Sequence, residues 1–302
     1  MHAYYCDYLD FPRPEHHRFP LDKYRRLRER LEAHPDFAAV TLAPAPAATP
    51  EDLLLAHTED WVEAVLAGTL TAEQIRRIGF PWSPDYVRRS LGSVGGTLAA
   101  LESAFATGWG GNLAGGTHHA HRGFGAGYCC FNDLAVAARR ALGSGRARRV
   151  LVLDLDVHHG DGTAAIFAGD DRVFTASVHG ERNFPRIKPE GDLDLALPDG
   201  AGDGEYLAAV ERALSTGLDR SGADLLLYQA GVDPLATDRL GRLAVSPEGL
   251  ALRDATVFEV SIEKGLPVVV TIGGGYSDPI EPTVAAHAAT YLAAARILGS
   301  GR

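Results

Sequence analysis

Short apolar runs alternate with amphipathic segments along most of the chain. Four of these runs are rich in Val and Leu and end at polar or glycine-rich stretches, which predicts strands at residues 150–155, 173–178, 224–228 and 267–272. The runs are nearly continuous rather than alternating in polarity, as expected of strands that helices bury on both faces.

A Ser or Thr followed by Pro marks the start of three amphipathic segments, at Thr49, Ser83 and Ser246. After Ser83 the apolar residues recur every three or four positions as far as Phe105, which predicts one long helix. Further helices are predicted at residues 53–66, 202–218, 250–262 and 283–298. Because strands and helices alternate, we expect an α/β fold of three layers, α/β/α, with a mostly parallel central sheet.

The composition is that of an ordinary globular protein. Hydrophobic residues make up 46% and charged residues 23% of the 302 positions, which excludes a disordered or collagen-like chain. No low-complexity linker or internal repeat divides the sequence, so we expect a single domain over residues 1–302. No apolar run approaches the roughly 20 residues that a membrane span needs, so we expect no membrane association.

Cysteine usage and the amino terminus indicate a cytoplasmic location. Residues 1–7 lack the basic and apolar regions of a secretory signal. The chain has 3 Cys, two of them adjacent, and these cannot build a disulfide framework. We therefore expect a reducing compartment.

The charge balance limits the classes of partner. Lys and Arg number 29 and Asp and Glu 39, which gives a net charge of −10. Because nucleic-acid binding depends on clustered Lys and Arg, we expect no nucleic-acid partner. Long-range attraction would weakly favour cationic substrates.

Charged residues interrupt the apolar pattern where the strand at 150–155 ends. The segment DLDVHHGDG holds Asp154, Asp156 and His158 at alternating positions, which point to one face in an extended strand. Burying ionised carboxylates without a partner is costly, so the arrangement favours a divalent cation such as zinc, for which Asp and His are suitable ligands. Its ordinary alternative is a capped turn between strand and helix, with the charges exposed.

Three more polar clusters follow apolar segments. His118 and His119 (GGTHH) follow residues 112–114, Asp233 follows the strand at 224–228, and Tyr276 (GGGY) follows the strand at 267–272. Taken alone, these residues fit a solvated histidine pair, a helix N-cap and a flexible glycine turn. All the clusters nevertheless lie at the carboxyl ends of predicted parallel strands, where open α/β sheets place their sites. We therefore expect one common site.

Other polar residues are expected to serve the fold. His16 and His17 are predicted in a loop or in core packing, and His57 as a satisfied histidine on a helix. Cys129 lies beside the segment that follows the tandem histidines and is expected to be a buried, inert thiol.

The combination of GG-x-HH, DxDxHHGDG, GVD before DRLG, and GGGY resembles the histone deacetylase family of the arginase–deacetylase fold. The resemblance covers nearly the whole chain, and residues 17–24, 78–83 and 238–243 resemble the class IV branch and its bacterial relatives. It implies a zinc-dependent amidohydrolase that removes an acyl group, acetyl or longer, from the ε-amine of acyl-lysine in proteins or peptides.

The resemblance also implies the bound ions. One catalytic Zn²⁺ per chain would be held by Asp156, His158 and Asp233, with the open position that a catalytic zinc needs. A structural K⁺ would be held by the carboxylates of Asp154 and Asp156, the His158 carbonyl, Ser177 and the Val178 carbonyl. A second, peripheral monovalent cation site would involve Phe167, Asp170 and Val173.

The acid–base and oxyanion groups follow in the same way. The resemblance implies His119 as the principal general base and acid, with His118 as its electrostatic partner. It places Asp154 behind His118 and Asp161 behind His119, where each carboxylate would fix the orientation and tautomer of a ring. Tyr276 matches the tyrosine whose hydroxyl donates to the developing oxyanion.

The substrate-binding residues include departures from the family pattern. Gly127 and Tyr128 would line one wall of an acyl-lysine tunnel and Phe184 the opposite wall. Tyr128 stands where Phe is commoner, and Lys23 stands where class I relatives carry Arg. The acidic rim residue by which class I enzymes grip the substrate backbone has no counterpart here. This absence argues against tight peptide recognition and against histones as substrates.

Three alternatives remain open at this point. An acetylpolyamine amidohydrolase, or another hydrolase of small acylated amines, would use the same site, although the inserted loop of an acid-rimmed entrance is not evident. A binuclear manganese ureohydrolase needs a DxHxD run, whereas Gly160 occupies the last position here. A catalytically silent metal-binding module would lack the acid–base or oxyanion groups, and the matching residues are all present. The sequence does not indicate an oligomeric state.

Overall fold

The apolar runs of the sequence become strands of one parallel sheet. A computed structural model describes residues 1–15 and 17–300, so the prediction for His16 lies outside the described residues. In these two ranges eight strands pair in the order β2-β1-β3-β8-β7-β4-β5-β6, and every pairing is parallel. The strands are β1 (His2–Tyr5), β2 (Thr41–Pro44), β3 (Trp109–Asn112), β4 (Val150–Asp154), β5 (Val173–Gly180), β6 (Leu193–Leu197), β7 (Leu225–Gln229) and β8 (Val268–Thr271).

Helices cover both faces of this sheet. The α-helices of the described ranges are α1 (Lys23–Glu32), α2 (Pro50–Leu53), α3 (Glu59–Ala67), α4 (Ala72–Ile78), α5 (Pro84–Thr107), α6 (Asp133–Gly143), α7 (Asp161–Phe167), α8 (Asp203–Ser221), α9 (Pro247–Glu263) and α10 (Glu281–Ser300). Side chains of β4 alternate between two apolar cores. Leu151 and Leu153 pack in the core that α8, α9 and α10 cover, and Val150 and Val152 in the core of α5 and α6. The predicted three-layer α/β/α class is therefore confirmed, with a sheet that is parallel throughout.

Two local predictions differ from the structure. The helix predicted at 53–66 is two helices, α2 and α3. The helical conformation is interrupted between them. There the Thr58 backbone N–H donates to the Arg122 carbonyl at 2.9 Å, and Thr58 is the N-cap of α3. The strand predicted at 150–155 ends at Asp154, so Asp156 and His158 lie in irregular backbone rather than on one face of a strand.

The helices carry no sign of a membrane span. Among the described residues, none of them combines the length and the apolar character that crossing a bilayer would require.

Candidate active site

Loops at the carboxyl edge of the sheet bring the predicted site residues together. Segments that leave β3, β4, β7 and β8 surround one cavity of about 720 Å³. Its lining includes His118, His119, Asp156, His158 and Tyr276, with Gly127, Tyr128 and Phe184. Strands from the middle of a parallel sheet thus deliver these residues to one edge, as the positions of the motifs predict.

Asp156, His158 and Asp233 converge at the floor of the cavity. Nδ1 of His158 lies 2.9 Å from a carboxylate oxygen of Asp156 and 3.1 Å from one of Asp233. All three side chains are buried, and one ligand atom from each lies within 4.8 Å of the others. One imidazole nitrogen and two carboxylate oxygens form a donor set that suits a divalent cation such as Zn²⁺.

Backbone and amide donors hold the two carboxylates in place. The backbone N–H of Val157 donates to Asp233 at 2.8 Å, and that of Gly274 donates to Asp156 at 2.7 Å. The Gln229 side-chain amide also donates to Asp156, at 2.9 Å. A Cβ on Gly274 would lie 1.7 Å from an Asp233 oxygen. The glycines of GGGY therefore let the backbone approach the carboxylates, a role that the sequence interpretation of this motif as a flexible turn did not include.

The electrostatics of the floor also fit a bound cation. Burial and the neighbouring Asp156 charge raise the pKa of Asp233 to about 7. Burial disfavours the charged ring of His158, but its hydrogen bonds to Asp156 and Asp233 outweigh this and raise its pKa to about 10. The two carboxylates thus hold a positive charge at His158, and a divalent ion bound there would displace the His158 proton and supply that charge instead.

The tandem histidines form the two His–Asp pairs that the family resemblance implies. Nδ1 of His118 lies 2.6 Å from Asp154, and Nδ1 of His119 lies 2.5 Å from Asp161. The two ring centroids are 4.0 Å apart. In each pair Nδ1 faces the carboxylate, which leaves Nε2 as the atom available for proton transfer.

The two rings differ in charge. Burial disfavours protonated His118, but the charges of Asp154 and Asp156 outweigh it and raise the pKa of His118 to about 9. Burial and the neighbouring His118 charge lower the pKa of His119 to about 4. His119 is therefore neutral near pH 7 and can accept a proton, whereas His118 carries one.

A third histidine, His121, belongs to the same network and was not predicted from the sequence. Its Nε2 lies 2.9 Å from the second carboxylate oxygen of Asp161. Burial alone would raise the pKa of Asp161, but the hydrogen bonds from His119 and His121 hold it well below the usual range. His121 thus helps to keep ionised the carboxylate that orients His119. The only signal in the sequence is its spacing two residues after His119.

Lys23 supports the turn that carries Tyr276. Its buried Nζ donates to the carbonyls of Gly273 at 3.1 Å and Gly275 at 3.4 Å, and lies 5.1 Å from the centroid of the Tyr276 ring. The Tyr276 backbone N–H in turn donates to Asp238 at 2.6 Å. Burial and the charge of Asp233 raise the pKa of the Tyr276 hydroxyl well above its ordinary value, so it stays a hydrogen-bond donor.

The predicted tunnel residues lie around the histidines. Gly127 packs against the His119 ring so closely that a Cβ there would meet a ring carbon at 2.5 Å. The Phe184 ring stands edge-on to His119, with centroids 4.8 Å apart. Tyr128 packs with Phe80, and its ring centroid lies 6.4 Å from that of Tyr276. All three residues line the cavity, as the resemblance implies.

Two sets of residues were suggested as monovalent cation sites, and within each set the residues lie near one another in the fold. Asp154 of β4 pairs with Ser177 of β5 in the sheet, and Val178 follows Ser177. The peripheral set forms a tight turn, in which the Asp170 N–H donates to the Phe167 carbonyl and the Val173 N–H to the Asp170 carbonyl.

A second group of possible ligands lies next to Phe184, whose carbonyl accepts from the His159 backbone N–H at 3.2 Å, and the sequence did not reveal it. The group comprises His159, His179 and Asp194, with one ligand atom from each within 4.8 Å of the others. Nε2 of His159 lies 2.9 Å from Asp194, so the pair is also explained by a hydrogen bond.

Comparison with known proteins places this chain in a family. The sequence-family model described as Histone deacetylase domain matches residues 17–293. An uncharacterized protein of Picosynechococcus sp. (strain PCC 7002) is 44% identical over 297 residues, which cover 97% of each chain. The histone deacetylase-like amidohydrolase of Pseudomonas aeruginosa is 31% identical over 278 residues, 85% of this chain and 72% of that protein. Histone deacetylase 2 of Arabidopsis thaliana is 30% identical over 234 residues, 74% of this chain and 60% of that protein.

Solved structures share the architecture. The HD domain of HDA15 superposes with a TM-score of 0.78 at 22% identity, over 99% of this chain and 91% of the other. An acetylpolyamine aminohydrolase from Burkholderia pseudomallei gives a TM-score of 0.79 at 22% identity, over 97% and 98%. The extent of the domain match and the similarity to these relatives agree with the motifs around the cavity, and the chain belongs to the histone deacetylase family.

Proposed function

We propose that the chain is a zinc-dependent lysine deacylase, an amidohydrolase that removes an acetyl or longer acyl group from the ε-amine of acyl-lysine in proteins or peptides. The observation that carries the proposal is the buried group of Asp156, His158 and Asp233 beside two His–Asp pairs, at the floor of a cavity that Tyr276 also lines. This arrangement joins a metal-ligand set, a base and an oxyanion donor in one cavity.

A zinc ion held by these three residues would supply Lewis-acid chemistry at the acyl carbonyl and acidify a water molecule. His119, neutral and oriented by Asp161, accepts the proton of the attacking water at Nε2. The Tyr276 hydroxyl donates to the oxygen on which negative charge develops. A protonated imidazole of the tandem pair then gives a proton to the departing amine.

The size and lining of the cavity support acyl groups longer than acetyl. A volume of about 720 Å³ lies within the range of sites that hold drug-sized ligands. Much of its wall is apolar, with Phe11, Phe19, Leu21, Ile78 and Phe80. An extended acyl chain could bury its methylenes there, at about 0.8 kcal/mol each.

The test is hydrolysis by the purified full chain, first stripped of metal and then loaded with Zn²⁺ or Mn²⁺. Lysine peptides with acetyl, butyryl, octanoyl and myristoyl groups are compared with acetylated polyamines. The expected result is release of free lysine side chains with one zinc per chain, lost with chelator and in His119→Asn. The matched control, His34→Asn, changes a half-buried histidine that does not line the cavity and keeps an N-cap side chain.

Other outcomes would identify the alternatives. Turnover of polyamines with every peptide left intact would favour a small-molecule hydrolase of the kind that the Burkholderia neighbour's name describes. Two manganese ions per chain would indicate ureohydrolase-type chemistry. A zinc-loaded chain that is inactive on the whole panel would favour a metal-binding module. The proposed K⁺ at Asp154, Ser177 and Val178 is tested by replacing K⁺ with Na⁺ and measuring thermal stability.

A further inference from the structure

Four arginines surround the mouth of the cavity, and they come from three separate segments of the chain. Arg76 and Arg77 lie in the last turn of α4, Arg182 follows β5, and Arg242 lies in the loop after β7. All four are exposed, with side-chain exposures of 44% for Arg77, 73% for Arg182 and 55% for Arg242. Three unrelated segments thus present the same charge at one opening.

Carboxylates cancel this charge only in part. Asp156 supplies the only carboxylate among the described residues that line the cavity, and it lies at the floor, in the proposed metal site. Arg182 and Arg242 share a single partner, Asp199, at 3.7 and 3.2 Å, so the three together keep one positive charge. Arg77 pairs with Glu73 at 3.2 Å. No ion pair to Arg76 is formed by any residue that the structure describes.

The loop of Phe184 carries both signs of charge, the Lys188 ammonium and the Glu181 carboxylate that acts on it electrostatically. Nζ of Lys188 donates to the carbonyls of Glu181, Asn183 and Pro185, at 2.8 to 3.0 Å, which places an ammonium on this loop without a carboxylate bound to it. With Glu73 and Asp199 counted, the four arginines still leave two positive charges at the mouth, on a chain whose net charge is −10. The positive charge at the mouth favours anionic substrates, whereas the negative net charge of the chain would favour cationic ones.

We infer that the substrate carries anionic groups beside its acylated amine, and that it is an acyl-lysine flanked by Asp or Glu in a polypeptide. The inference rests on the proposed function. A lysine that enters the cavity leaves its neighbouring residues at the mouth, within reach of the flexible arginine side chains. Guanidinium groups bind carboxylates in a planar, two-point geometry and stay charged at all relevant pH values.

The same charges disfavour the two cationic substrate classes. A polyamine keeps ammonium groups outside the acylated end, and a histone tail surrounds its acyl-lysine with Lys and Arg. Either would bring like charges together at the mouth, which costs binding energy and slows encounter. The effect acts through exposed groups and is screened within about 10 Å at 0.1 M salt, so it depends on ionic strength.

The experiment compares three acyl-lysine peptides that differ only in their flanks, with two Glu, two Gln or two Lys, at low and high salt. Acetylspermidine and a small N-acetylated amine that bears a carboxylate are the non-peptide arms. The zinc-loaded full chain is tested beside R182Q/R242Q. The matched control, R146Q/R212Q, removes two exposed arginine charges that do not line the cavity.

The expected kcat/KM is about tenfold higher for Glu than for Gln flanks, with Lys flanks lowest. The difference in kcat/KM among the three peptides should become smaller at high salt and in R182Q/R242Q, mainly through changes in KM. The same difference should persist in R146Q/R212Q. Equal rates for the three peptides, or a preference for Lys flanks or acetylspermidine over Gln flanks, would overturn the inference. Hydrolysis of the Gln peptide in such a case would leave the proposed function standing. Hydrolysis of the small carboxylate-bearing amine alone would overturn the polypeptide assignment and the lysine deacylase proposal together.

Discussion

His57 should make the fold sensitive to mild acid, because its buried ring is held in one uncharged tautomer. The Asn132 backbone N–H donates to Nε2 at 2.9 Å, and Nδ1 donates to the His121 carbonyl at 3.0 Å. Protonation of the ring would add a hydrogen to Nε2, which would then face the Asn132 N–H, donor against donor. Burial, opposed by the backbone hydrogen bonds, lowers the pKa of His57 to about 4, and Arg122 is the charged group that acts on it in the same direction.

The size of the effect follows from the two pKa values. In the unfolded chain the pKa is about 6.5, so between pH 6.5 and 4 the unfolded state binds the proton and the folded state does not. The free energy of unfolding therefore falls as the pH falls through this window. Between pH 7.5 and pH 5 the loss from His57 alone is about 2 kcal/mol.

Urea unfolding at pH 7.5 and pH 5.0 measures this loss. His57→Gln cannot titrate, so its free energy of unfolding should fall by about 2 kcal/mol less than that of the wild type over this interval, although the variant is less stable at both pH values. His34→Gln, at a half-buried histidine on the 3-10 turn Pro35–Phe37, is the matched control variant for the loss of one imidazole. Equal pH dependence in His57→Gln and the wild type would show that the ring is already charged in the fold or stays accessible to protons.

Three further predictions concern the site and its support. Tyr276→Phe should lower kcat by about 10²–10³ at unchanged zinc content if the hydroxyl stabilises the oxyanion, and an unchanged kcat would remove that role. Asp161→Asn should lower kcat by about 10²–10⁴ because the ring of His119 loses the carboxylate that fixes its tautomer; zinc content and thermal unfolding serve as controls. Arg253, fully buried, donates to the Gly231 carbonyl at 2.6 Å and to Asp254 at 2.9 Å. Arg253→Met should cost about 3–5 kcal/mol in urea unfolding, whereas the exposed Arg212→Met should cost little.

Strands β4, β5, β7 and β8 could be predicted because both of their faces are buried by apolar residues. The predicted strand at 267–272 corresponds to β8 (Val268–Thr271), and that at 224–228 to β7 (Leu225–Gln229). The central strand β3 was missed although it is fully buried, because its sequence, WGGN, lacks the Val and Leu of the predicted strands. The outer strands β1, β2 and β6 were missed because they are short and carry partly exposed positions, as in the alternating burial of β6. Periodicity alone gives little signal for such segments.

The motif residues of the site were predictable, but their partners were not. Asp156 and Asp233 interrupt apolar runs, so their burial has to be compensated and their positions are conspicuous. Gln229, Lys23 and Arg253 act through hydrogen bonds between segments far apart in the chain, and Lys23 reaches a carbonyl 250 residues away. Nothing in the local pattern of polarity indicates such a contact.

The charge layout of the cavity links its architecture to its substrate. At the floor, strands of a parallel sheet have just ended, so backbone N–H groups such as those of Val157 and Gly274 have no strand partner and hold the carboxylates. The carboxylates at the floor suit a metal ion, and the aromatic wall suits an uncharged acylated stem. The arginines at the mouth suit anionic groups on the rest of the substrate. An acyl-lysine with acidic neighbours complements all three levels. An acetylated polyamine would place its acylated stem against the same wall but would bring ammonium groups to the arginines at the mouth.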